Sequence, residues 1–392
     1  MMKKKIIILG STGSIGNTTL DIINGNRKNY KLILISTNKN YKRLFFQAKK
    51  FDIKNVIIHD KKTFISKKKF FKSKKINIFN NVKDFKKKNS IKVNYVMSAI
   101  TGIGGLEPTI DIISITDEIA IANKESIICG WNLISKSLKK NKTKFIPIDS
   151  EHFSIAKLIE NEKIENIKKI YITASGGPFL KMNYSSFNNF NPKNAIKHPT
   201  WKMGKKISVD SATLINKIFE LIEAKKIFNI EYSKFKIIIQ PTSYVHAIVD
   251  FNNGVSKILT HPTSMKIPIF NSLTNYFKKD NFANKLNLKL INDLSFQEVN
   301  MKKFPIGKII KIIPKKDTLF ETVLVSANDT LVELFLKKKI KFFDIYKNLI
   351  KILRLKEFKR FKNKEPKNLD QIAILSRIVR LKTISLSVRS QK

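Results

Sequence analysis

A glycine turn close to the N-terminus is the feature that most limits what this chain can fold into. An apolar run at residues 5–9 ends at Gly10, and Gly13 and Gly16 follow at intervals of three. Residues 14–23 then place apolar side chains at helical spacing. A strand, a glycine turn and a helix in this order are typical of a dinucleotide-binding unit, where backbone amides and the helix N-terminus hold a pyrophosphate. A tight turn with no ligand is the alternative, because this spacing differs from GxGxxG.

The residues after the second apolar run bear on the choice of dinucleotide. Residues 36–40 read Ser-Thr-Asn-Lys-Asn and contain no Asp or Glu that could accept a ribose 2′-hydroxyl. Lys39 could instead neutralise a 2′-phosphate, although lysine is abundant throughout this chain. The pattern favours NADP over NAD.

Short apolar runs recur along the first 150 residues and alternate with polar or helical stretches. After the first run they lie at residues 31–36, 56–58, 93–99, 119–122 and 145–148. Buried strands that alternate with helices form parallel sheets covered on both faces. The first part of the chain therefore predicts an α/β fold with a Rossmann-type doubly wound parallel sheet.

The pattern changes beyond about residue 150, which indicates further domains. Strands are expected near residues 168–174, 236–240 and 245–251, and a helix near 211–229. A chain of 392 residues is long enough for two or three domains. We predict an NADPH-binding Rossmann-type domain at 1–150, an α+β central catalytic domain at 151–280, a loop-rich linker at 281–317 and a C-terminal helical domain at 318–392.

Three acidic residues have the spacing of a metal site. Asp149 and Glu151 follow the strand at 145–148, and residues i and i+2 leaving an extended segment point the same way. Further on, Asn216, Lys217 and Glu220 share one face of a predicted helix. Carboxylate ligands of this kind suit Mg²⁺ or Mn²⁺ rather than zinc. The alternative is ordinary: a solvated Lys217–Glu220 pair and a helix cap at Asp149.

Two further segments have the composition of substrate-binding loops. Ser175 and the two glycines after it follow a strand and offer a hydroxyl and backbone amides to an oxyanion, although many such segments are only turns. Residues 198–206 combine apolar side chains, a hinge at Gly204 and lysines. That mixture suits a lid over an anionic substrate, with a plain surface loop as the alternative.

The formal net charge is +46, from 76 basic and 30 acidic residues, and it bears on the possible partners. An excess of this size would ordinarily indicate nucleic acid or an anionic membrane. Here the lysines are spread along the chain among abundant Asn and Ile, and aromatic and basic residues are not interleaved as in base-stacking proteins. We therefore expect no specific nucleic-acid partner, whereas a phosphorylated small molecule would suit this charge.

Cysteine content and hydropathy indicate the compartment. The single Cys129 excludes an intramolecular disulfide, which fits a reducing compartment. The basic start is followed by four apolar residues, fewer than a signal peptide needs. No segment approaches the ~18 apolar residues that span a bilayer. We expect a cytoplasmic protein with no membrane partner and no transit extension.

Six sequence blocks stand in one order along the chain. They are GSTGSIG at 10–16, ANKES at 122–126, PIDSEH at 147–152, ASGGPF at 174–179, HPTWKMGKKISVDSAT at 198–213, and N, K and E at 216, 217 and 220. In these blocks the chain resembles the 1-deoxy-D-xylulose 5-phosphate reductoisomerase family of the non-mevalonate isoprenoid pathway, from about residue 5 to 250. The resemblance implies an NADPH-dependent, metal-assisted rearrangement and hydride transfer that yields 2-C-methyl-D-erythritol 4-phosphate. It also implies a homodimer.

The resemblance further assigns roles to individual residues. The implied catalytic residues are Lys124, Glu151 and His198, and the implied metal ligands are Asp149, Glu151 and Glu220. Contacts with NADPH are implied for Thr12, Gly13, Ser14, Ile15, Asn38, Lys39, Asn40, Asn123, Glu125 and Gly204. Contacts with substrate are implied for Lys124, Ser150, Glu151, Ser175, His198, Ser211, Asn216, Lys217 and Glu220.

A few positions depart from the family pattern and leave other functions open. Asn38 stands where a Gly is usual, Gln240 where a His is usual, and residues 262–266 replace Pro-Asp-Met-Arg. A metal-free NADP-linked semialdehyde or homoserine dehydrogenase would share the glycine turn without needing the three acids together. A nucleic-acid-binding protein and an inactive relative are the remaining alternatives.

Overall fold

The structure is a computed structural model that describes residues 3–182, 190–201, 203–274 and 286–389. Its contacts divide the chain into two compact units. The first unit comprises Met1–Ile127, Asn132–Asp149 and Met265–Lys279. The second comprises Ile128–Trp131, Ser150–Ser264 and Asp280–Lys392.

Strands and helices alternate through the first 149 residues. In chain order they are β1 (Lys4–Leu9), α1 (Ser14–Gly25), β2 (Tyr30–Thr37), α2 (Tyr41–Lys50), β3 (Asn55–Ile58), α3 (Lys61–Ser73), β4 (Asn77–Phe79), α4 (Val82–Lys88), β5 (Val93–Ser98), α5 (Leu106–Ile113), β6 (Thr116–Ile121), α6 (Lys124–Asn141) and β7 (Lys144–Pro147). The seven strands form one parallel sheet in the order β4-β3-β2-β1-β5-β6-β7. The predicted doubly wound sheet is confirmed, and β4 was missed because it spans only three residues.

Burial on both faces explains why β1 is a continuous apolar run. Its last four residues, Ile6 to Leu9, have no exposed surface, as expected for a central strand covered by helices on each side. Several of the surrounding helices begin where a side chain can accept from their free amides. Asn40, Asp60, Asn81 and Asn123 do so at the starts of α2, α3, α4 and α6.

The second part of the chain mixes strands and helices. Its elements are α7 (Ser150–Leu158), β8 (Ile167–Ala174), α8 (Pro192–Ala195), α9 (Lys205–Ala212), α10 (Ile215–Phe228), β9 (Phe235–Ile239), β10 (Val245–Phe251), β11 (Ser256–Thr260), α11 (Lys266–Leu273), α12 (Leu288–Asn292), β12 (Gln297–Glu298), α13 (Ile306–Ile310), α14 (Phe320–Leu336), α15 (Phe342–Leu353), α16 (Lys356–Lys359) and α17 (Leu369–Arg389). A mixed sheet has the order β11-β10-β8-β9-β12, in which only β8 and β9 pair in parallel.

The helix predicted at 211–229 is wrong in one respect, because the structure contains two helices there. Between α9 and α10, Leu214 adopts a left-handed backbone with φ of +59°. Its side chain is nevertheless buried, with 1% exposed. The apolar period continues through this break, so a pattern of burial alone could not reveal it.

One helix returns to the first unit late in the chain. In α11, Ile269 and Leu273 join the core of the parallel sheet, and the Ser272 hydroxyl lies 2.7 Å from the Tyr95 hydroxyl. The predicted boundaries had assigned this segment to residues 151–280, and those boundaries stay predictions. None of the helices in the described ranges combines the length and hydropathy that a membrane crossing requires.

Candidate active site

The glycine turn is shaped by its own backbone and by β2. It follows β1, where the strand order reverses and open parallel sheets bind ligands. Gly10 has φ of +83°, and its amide donates to Ser36 Oγ at 2.9 Å. Gly16 packs so tightly that a Cβ there would lie 2.5 Å from the Gly10 carbonyl oxygen. Since Gly13, the N-cap residue of α1, provides no side-chain cap, the first amides of the helix suit a phosphate.

The predicted dinucleotide residues around this turn fall into two groups. Thr12 Oγ1 lies 2.7 Å from Thr37 Oγ1, which fixes the turn to the end of β2, while Gly13 and Ser14 are exposed and Ile15 is half-buried. At the end of β2, Asn38, Lys39 and Asn40 are exposed, and Asn40 Oδ1 accepts from the Arg43 amide.

An acidic residue lies beside the predicted 2′-phosphate cation. Lys39 Nζ is 3.8 Å from a carboxylate oxygen of Asp60, and 70% of the Lys39 side chain is exposed. Hydrogen bonds from Thr63 are the main cause that lowers the pKa of Asp60, which keeps this carboxylate charged. The sequence argument counted only acids directly after β2 and missed Asp60, because it follows the neighbouring strand β3.

The residues at the start of α6 have structural roles as well as predicted ligand contacts. Asn123 is buried, its Oδ1 accepts from the Ser126 amide at 3.0 Å, and its amide group donates to the carbonyls of Ile100 and Gly102. Lys124 forms an ion pair with Asp149, and Glu125 is half-buried. The side chain of Asn123 is therefore occupied in shaping the loop that precedes the helix.

In the second unit, Lys217 lies between two buried carboxylates. Its ammonium forms an ion pair with Glu151 and another with Glu220 Oε2 at 2.5 Å, and Asn216 also donates to Glu220. This confirms that Asn216, Lys217 and Glu220 share a helix face. Burial lowers the pKa of Lys217, but the two carboxylates outweigh burial and raise that pKa above its usual range.

The backbone that presents Glu151 differs from the prediction. Ser150 and Glu151 lie in the first turn of α7 rather than on an extended segment, so the alternation argument for Asp149 and Glu151 was wrong. The Ser150 hydroxyl donates to Glu151 Oε2 at 2.6 Å and orients that carboxylate. Asp149 ends the segment Asn132–Asp149 of the first unit and precedes Glu151 by two positions.

The donor chemistry of this cluster fits a hard divalent cation. Glu151 and Glu220 are 7% and 1% exposed, and each offers an oxygen within 4.8 Å of the other. Buried carboxylates need a positive charge, and here the Lys217 ammonium provides it. All-oxygen ligands suit Mg²⁺ or Mn²⁺.

His152 contacts the helix that carries Glu220. It is 1% exposed, and its Nε2 donates to the backbone carbonyl of Glu220 at 2.8 Å. Its Nδ1 lies 4.0 Å from Glu223 Oε2. His152 is therefore a packed residue that holds the backbone of α10.

A histidine bridges two serine hydroxyls next to these acids. His198 Nε2 lies 2.9 Å from Ser175 Oγ and 3.1 Å from Ser211 Oγ. Its Nδ1 accepts from the backbone amides of Thr200 and Trp201, so the ring proton is on Nε2. Burial, and then the charge of Lys217, lower the pKa of His198 to about 4. The imidazole is therefore a neutral donor at pH 7.

The glycines after Ser175 have backbone conformations that other residues rarely adopt. Gly176 and Gly177 have φ of +80° and +68°, and the Gly177 amide donates to Ser175 Oγ at 3.0 Å. A Cβ at Gly177 would lie 2.9 Å from the Ser211 carbonyl oxygen. The turn therefore lies directly against the end of α9. This contact suits a site in which the turn and α9 bind the same oxyanion.

Two histidines of the second unit, His246 and His261, were missed by the sequence interpretation. The rings of His246 and His261 are stacked with centroids 3.7 Å apart, and the ring of Trp201 meets His246 edge-on. The chain has only five histidines, and four of them lie in the second unit. That scarcity was a usable signal, because a rare residue type that recurs in one region suggests a role there.

Comparisons with known proteins cover nearly the whole chain. The family models that match are 1-deoxy-D-xylulose 5-phosphate reductoisomerase at residues 6–130, the C-terminal domain of that enzyme at 145–228, and a further DXP reductoisomerase C-terminal domain at 261–382. A 1-deoxy-D-xylulose 5-phosphate reductoisomerase of Pelagibacter ubique is 53% identical over 389 residues, which cover 98% of this chain and 100% of the relative. One of Clostridium novyi is 35% identical, with 94% and 95% covered.

Solved structures of reductoisomerases also match this chain along nearly its whole length. A DOX-P reductoisomerase in complex with NADPH, fosmidomycin and magnesium matches with a TM-score of 0.90 at 28% identity, covering 98% of each chain. The enzyme of Zymomonas mobilis in complex with NADPH matches with a TM-score of 0.86 at 29% identity, covering 98% of this chain and 99% of the other.

Proposed function

The chain belongs to the 1-deoxy-D-xylulose 5-phosphate reductoisomerase family, and from that premise we infer its reaction. It converts 1-deoxy-D-xylulose 5-phosphate to 2-C-methyl-D-erythritol 4-phosphate, with NADPH as reductant and a divalent metal ion, in isoprenoid precursor biosynthesis. The observation that carries this function is the 53% identity to a reductoisomerase along 98% of the chain. The buried acids of the second unit supply chemistry that fits it.

We propose Asp149, Glu151 and Glu220 as the ligands of Mg²⁺ or Mn²⁺. A divalent cation held there would stabilise negative charge on the substrate's oxygens while the carbon skeleton rearranges. The hydrogen bond from Ser150 fixes the orientation of Glu151, and the His152 bond to the carbonyl of Glu220 fixes that helix turn. Both acids are thus positioned by contacts within the chain.

We propose that the phosphate of the substrate binds the hydroxyls of Ser175 and Ser211, the amide of Asn216 and the ammonium of Lys217. His198 is a neutral Nε2–H donor between the two serines, so it can bind an anion without itself exchanging a proton at pH 7. Lys124 is a further proposed substrate contact. Its ion pair with Asp149 orients its ammonium.

We propose that NADPH binds the glycine turn through Thr12, Gly13, Ser14 and Ile15, and that its 2′-phosphate meets Asn38, Lys39 and Asn40. Asn123, Glu125 and Gly204 are the further proposed NADPH contacts. NADPH supplies the hydride that reduces the rearranged aldehyde. The segment 198–206 is the proposed lid that excludes water, and its Lys202 lies outside the described residues.

The finer organisation of the protein is part of the proposal. The functional segments are residues 1–150 for NADPH, 151–280 for metal and substrate, 281–317 as a linker and 318–392 as a helical domain; residues 281–285 lie outside the described ranges. We propose a cytoplasmic homodimer. Light scattering on the purified protein tests the dimer, since a mass near 90 kDa, about twice the 45.2 kDa of one chain, is the expected result.

The deciding experiment is NADPH oxidation by purified protein supplied with 1-deoxy-D-xylulose 5-phosphate and Mg²⁺ or Mn²⁺. Oxidation that stops when a chelator is added and returns with metal is the expected result. Activity indifferent to chelator would favour a metal-free NADP-linked dehydrogenase. Absence of oxidation by folded protein that still binds NADPH would contradict the proposed reaction and direct attention to Gln240 and residues 262–266.

A further inference from the structure

A polar cluster links α14, a helix of the C-terminal region, to the helix that carries Ser211. Asp210 in α9 is 1% exposed, and its Oδ1 accepts from Asn328 Nδ2 of α14 at 2.8 Å. Its Oδ2 lies 3.0 Å from Lys206 Nζ, and the same ammonium lies 2.9 Å from Asp329 Oδ1. We call Lys206, Asp210, Asn328 and Asp329 the α9 clamp. All four belong to the second unit.

Residues of the α9 clamp are close in sequence to groups that are proposed to bind substrate. Asp210 precedes Ser211, whose hydroxyl contacts His198 at 3.1 Å, and Lys206 lies two residues after the lid glycine Gly204. The turn at Gly177 also lies against the backbone of Ser211. A displacement of α9 by a few tenths of an ångström would therefore disturb the Ser211–His198 contact, since hydrogen bonds weaken steeply with distance and angle.

The chemistry of the α9 clamp is more specific than packing requires. The apolar residues Val209 and Ala212 already bury one face of α9, so helix packing does not itself call for an ion pair. A buried carboxylate costs free energy unless it is paired and hydrogen-bonded. Here the two oxygens of Asp210 have different partners, a neutral amide and an ammonium. Two directional contacts fix both the position of α9 along its axis and its rotation about that axis, which apolar contacts alone do not.

The arrangement also determines where the charge of Lys206 is directed. This side chain is 30% exposed and close in sequence to Gly204, so it is a plausible cation for an anionic substrate on sequence grounds. Instead its ammonium pairs with two carboxylates, Asp210 and Asp329. The α9 clamp thus directs the charge of Lys206 to Asp210 and Asp329.

We propose that Asn328 and Asp329 are positioning residues for the reaction, acting through Asp210 and Lys206 to fix Ser211 and His198 for the substrate's phosphate. The proposal rests on the proposed function for the identity of the substrate. It gives the C-terminal helical region, where the sequence showed no chemistry, a defined part in substrate binding.

The test uses full-length Asn328→Asp and Asp329→Asn variants. Asn328→Asp keeps the side-chain shape but places a carboxylate against Asp210, and Asp329→Asn removes one of the two charges on Lys206. KM for 1-deoxy-D-xylulose 5-phosphate should rise about tenfold or more, because small misplacements of binding groups have effects of this size. kcat should fall less. Glu333→Gln, on an exposed face of α14, is the matched control and should behave as wild type.

Rescue separates positioning from a general loss of structure. The double variant Asp210→Asn with Asn328→Asp restores an amide–carboxylate pair with the roles exchanged, and its KM should return toward the wild-type value. KM values unchanged in folded Asn328→Asp and Asp329→Asn variants would overturn the proposal. If Asn328→Asp fails to fold, Asp329→Asn decides, since Asp329 is partly exposed.

Amide hydrogen exchange gives a readout that does not depend on the reaction. Exchange at residues 205–212 should accelerate in both single variants, while β1 and β5 keep their wild-type protection. If wild-type protein does not oxidise NADPH, the proposed function fails. The exchange result then tests by itself whether the α9 clamp positions α9. Unchanged exchange at 205–212 would then reject it.

Discussion

The first unit shapes its ligand-binding turn with backbone atoms, whereas the second unit builds its site from buried charged side chains. At the glycine turn, Gly10 and Gly16 approach carbonyl groups so closely that no Cβ fits. In the second unit, Lys217 lies between Glu151 and Glu220, and Lys226 lies between Asp317 and Glu321. The glycine turn requires residues without a Cβ atom, whereas the buried site requires each lysine to have its carboxylate partners.

This difference determines how each region should respond to substitution. A backbone-shaped turn tolerates changes in neighbouring side chains, but a single added methyl group distorts it. A buried ion pair tolerates no change of one partner alone, because the other is left as an uncompensated charge. Substitutions in the two units should therefore affect different measurements.

Glu151→Gln should have the largest effect, and it should be confined to the second unit's chemistry. We expect turnover to fall by about three orders of magnitude, the upper range for losing one group that stabilises developing charge. NADPH affinity, measured by fluorescence titration, should stay at the wild-type value. Glu160→Gln, an exposed glutamate near the end of α7, is the control. A Glu151→Gln enzyme with near-normal turnover would remove Glu151 from the metal site.

Lys226→Met tests the importance of matched partners away from the active site. Lys226 and Glu321 are 8% and 1% exposed, so the substitution leaves a buried carboxylate without its cation. Urea unfolding should show a loss of about 3–5 kcal/mol in the free energy of unfolding. Lys236→Met removes an exposed partner of Glu298 and should unfold at the wild-type urea concentration. Equal midpoints for the two variants would refute the distinction between buried and exposed pairs.

Gly16→Ala should damage the first unit. A Cβ at Gly16 would lie 2.5 Å from backbone atoms of Gly10 and Ser11, and overpacking of this kind costs about 1–3 kcal/mol. NADPH affinity should fall with it, while metal binding at Glu151 and Glu220 should persist. Gly25→Ala meets nothing within 4 Å and should bind NADPH as wild type does. Intact NADPH binding by Gly16→Ala would show that the turn adapts.

A smaller effect should appear in the pH dependence of stability. Burial, and then the charge of His246, lower the pKa of His261 to about 3, with Glu151 acting in the opposite direction. The unfolded chain, with a histidine pKa near 6.5, takes up this proton first. Stability is therefore full above about pH 6.5 and declines as pH falls toward the folded pKa. His261→Phe should flatten that decline, and an unchanged slope in urea titrations would contradict it.

The same contrast explains what the sequence could predict. The parallel sheet, the glycine turn and the shared face of Asn216, Lys217 and Glu220 follow from local spacing, and the structure confirms them. Glu151 was predicted on an extended segment but lies in the first turn of α7. The sequence could not separate the two conformations, because the end of a strand and the start of a helix can both bring nearby acids together. The Asp210–Asn328 contact joins residues 118 positions apart, and a contact at that separation leaves no periodic trace. The stacked pair of His246 and His261 was missed because the sequence argument followed periodic patterns and did not consider where a rare residue type recurs.

The return of α11 to the first unit has a consequence for the order in which the chain can fold during synthesis. Ile269 and Leu273 belong to the core of the parallel sheet, and Ser272 satisfies the buried hydroxyl of Tyr95. A nascent chain that has released all seven strands still lacks this helix, so part of its apolar surface stays open until residue 273 leaves the ribosome. Four of the five strands of the second unit's mixed sheet are translated in that interval. A chain truncated after Asp149 is for this reason a poor candidate for an isolated dinucleotide-binding fragment.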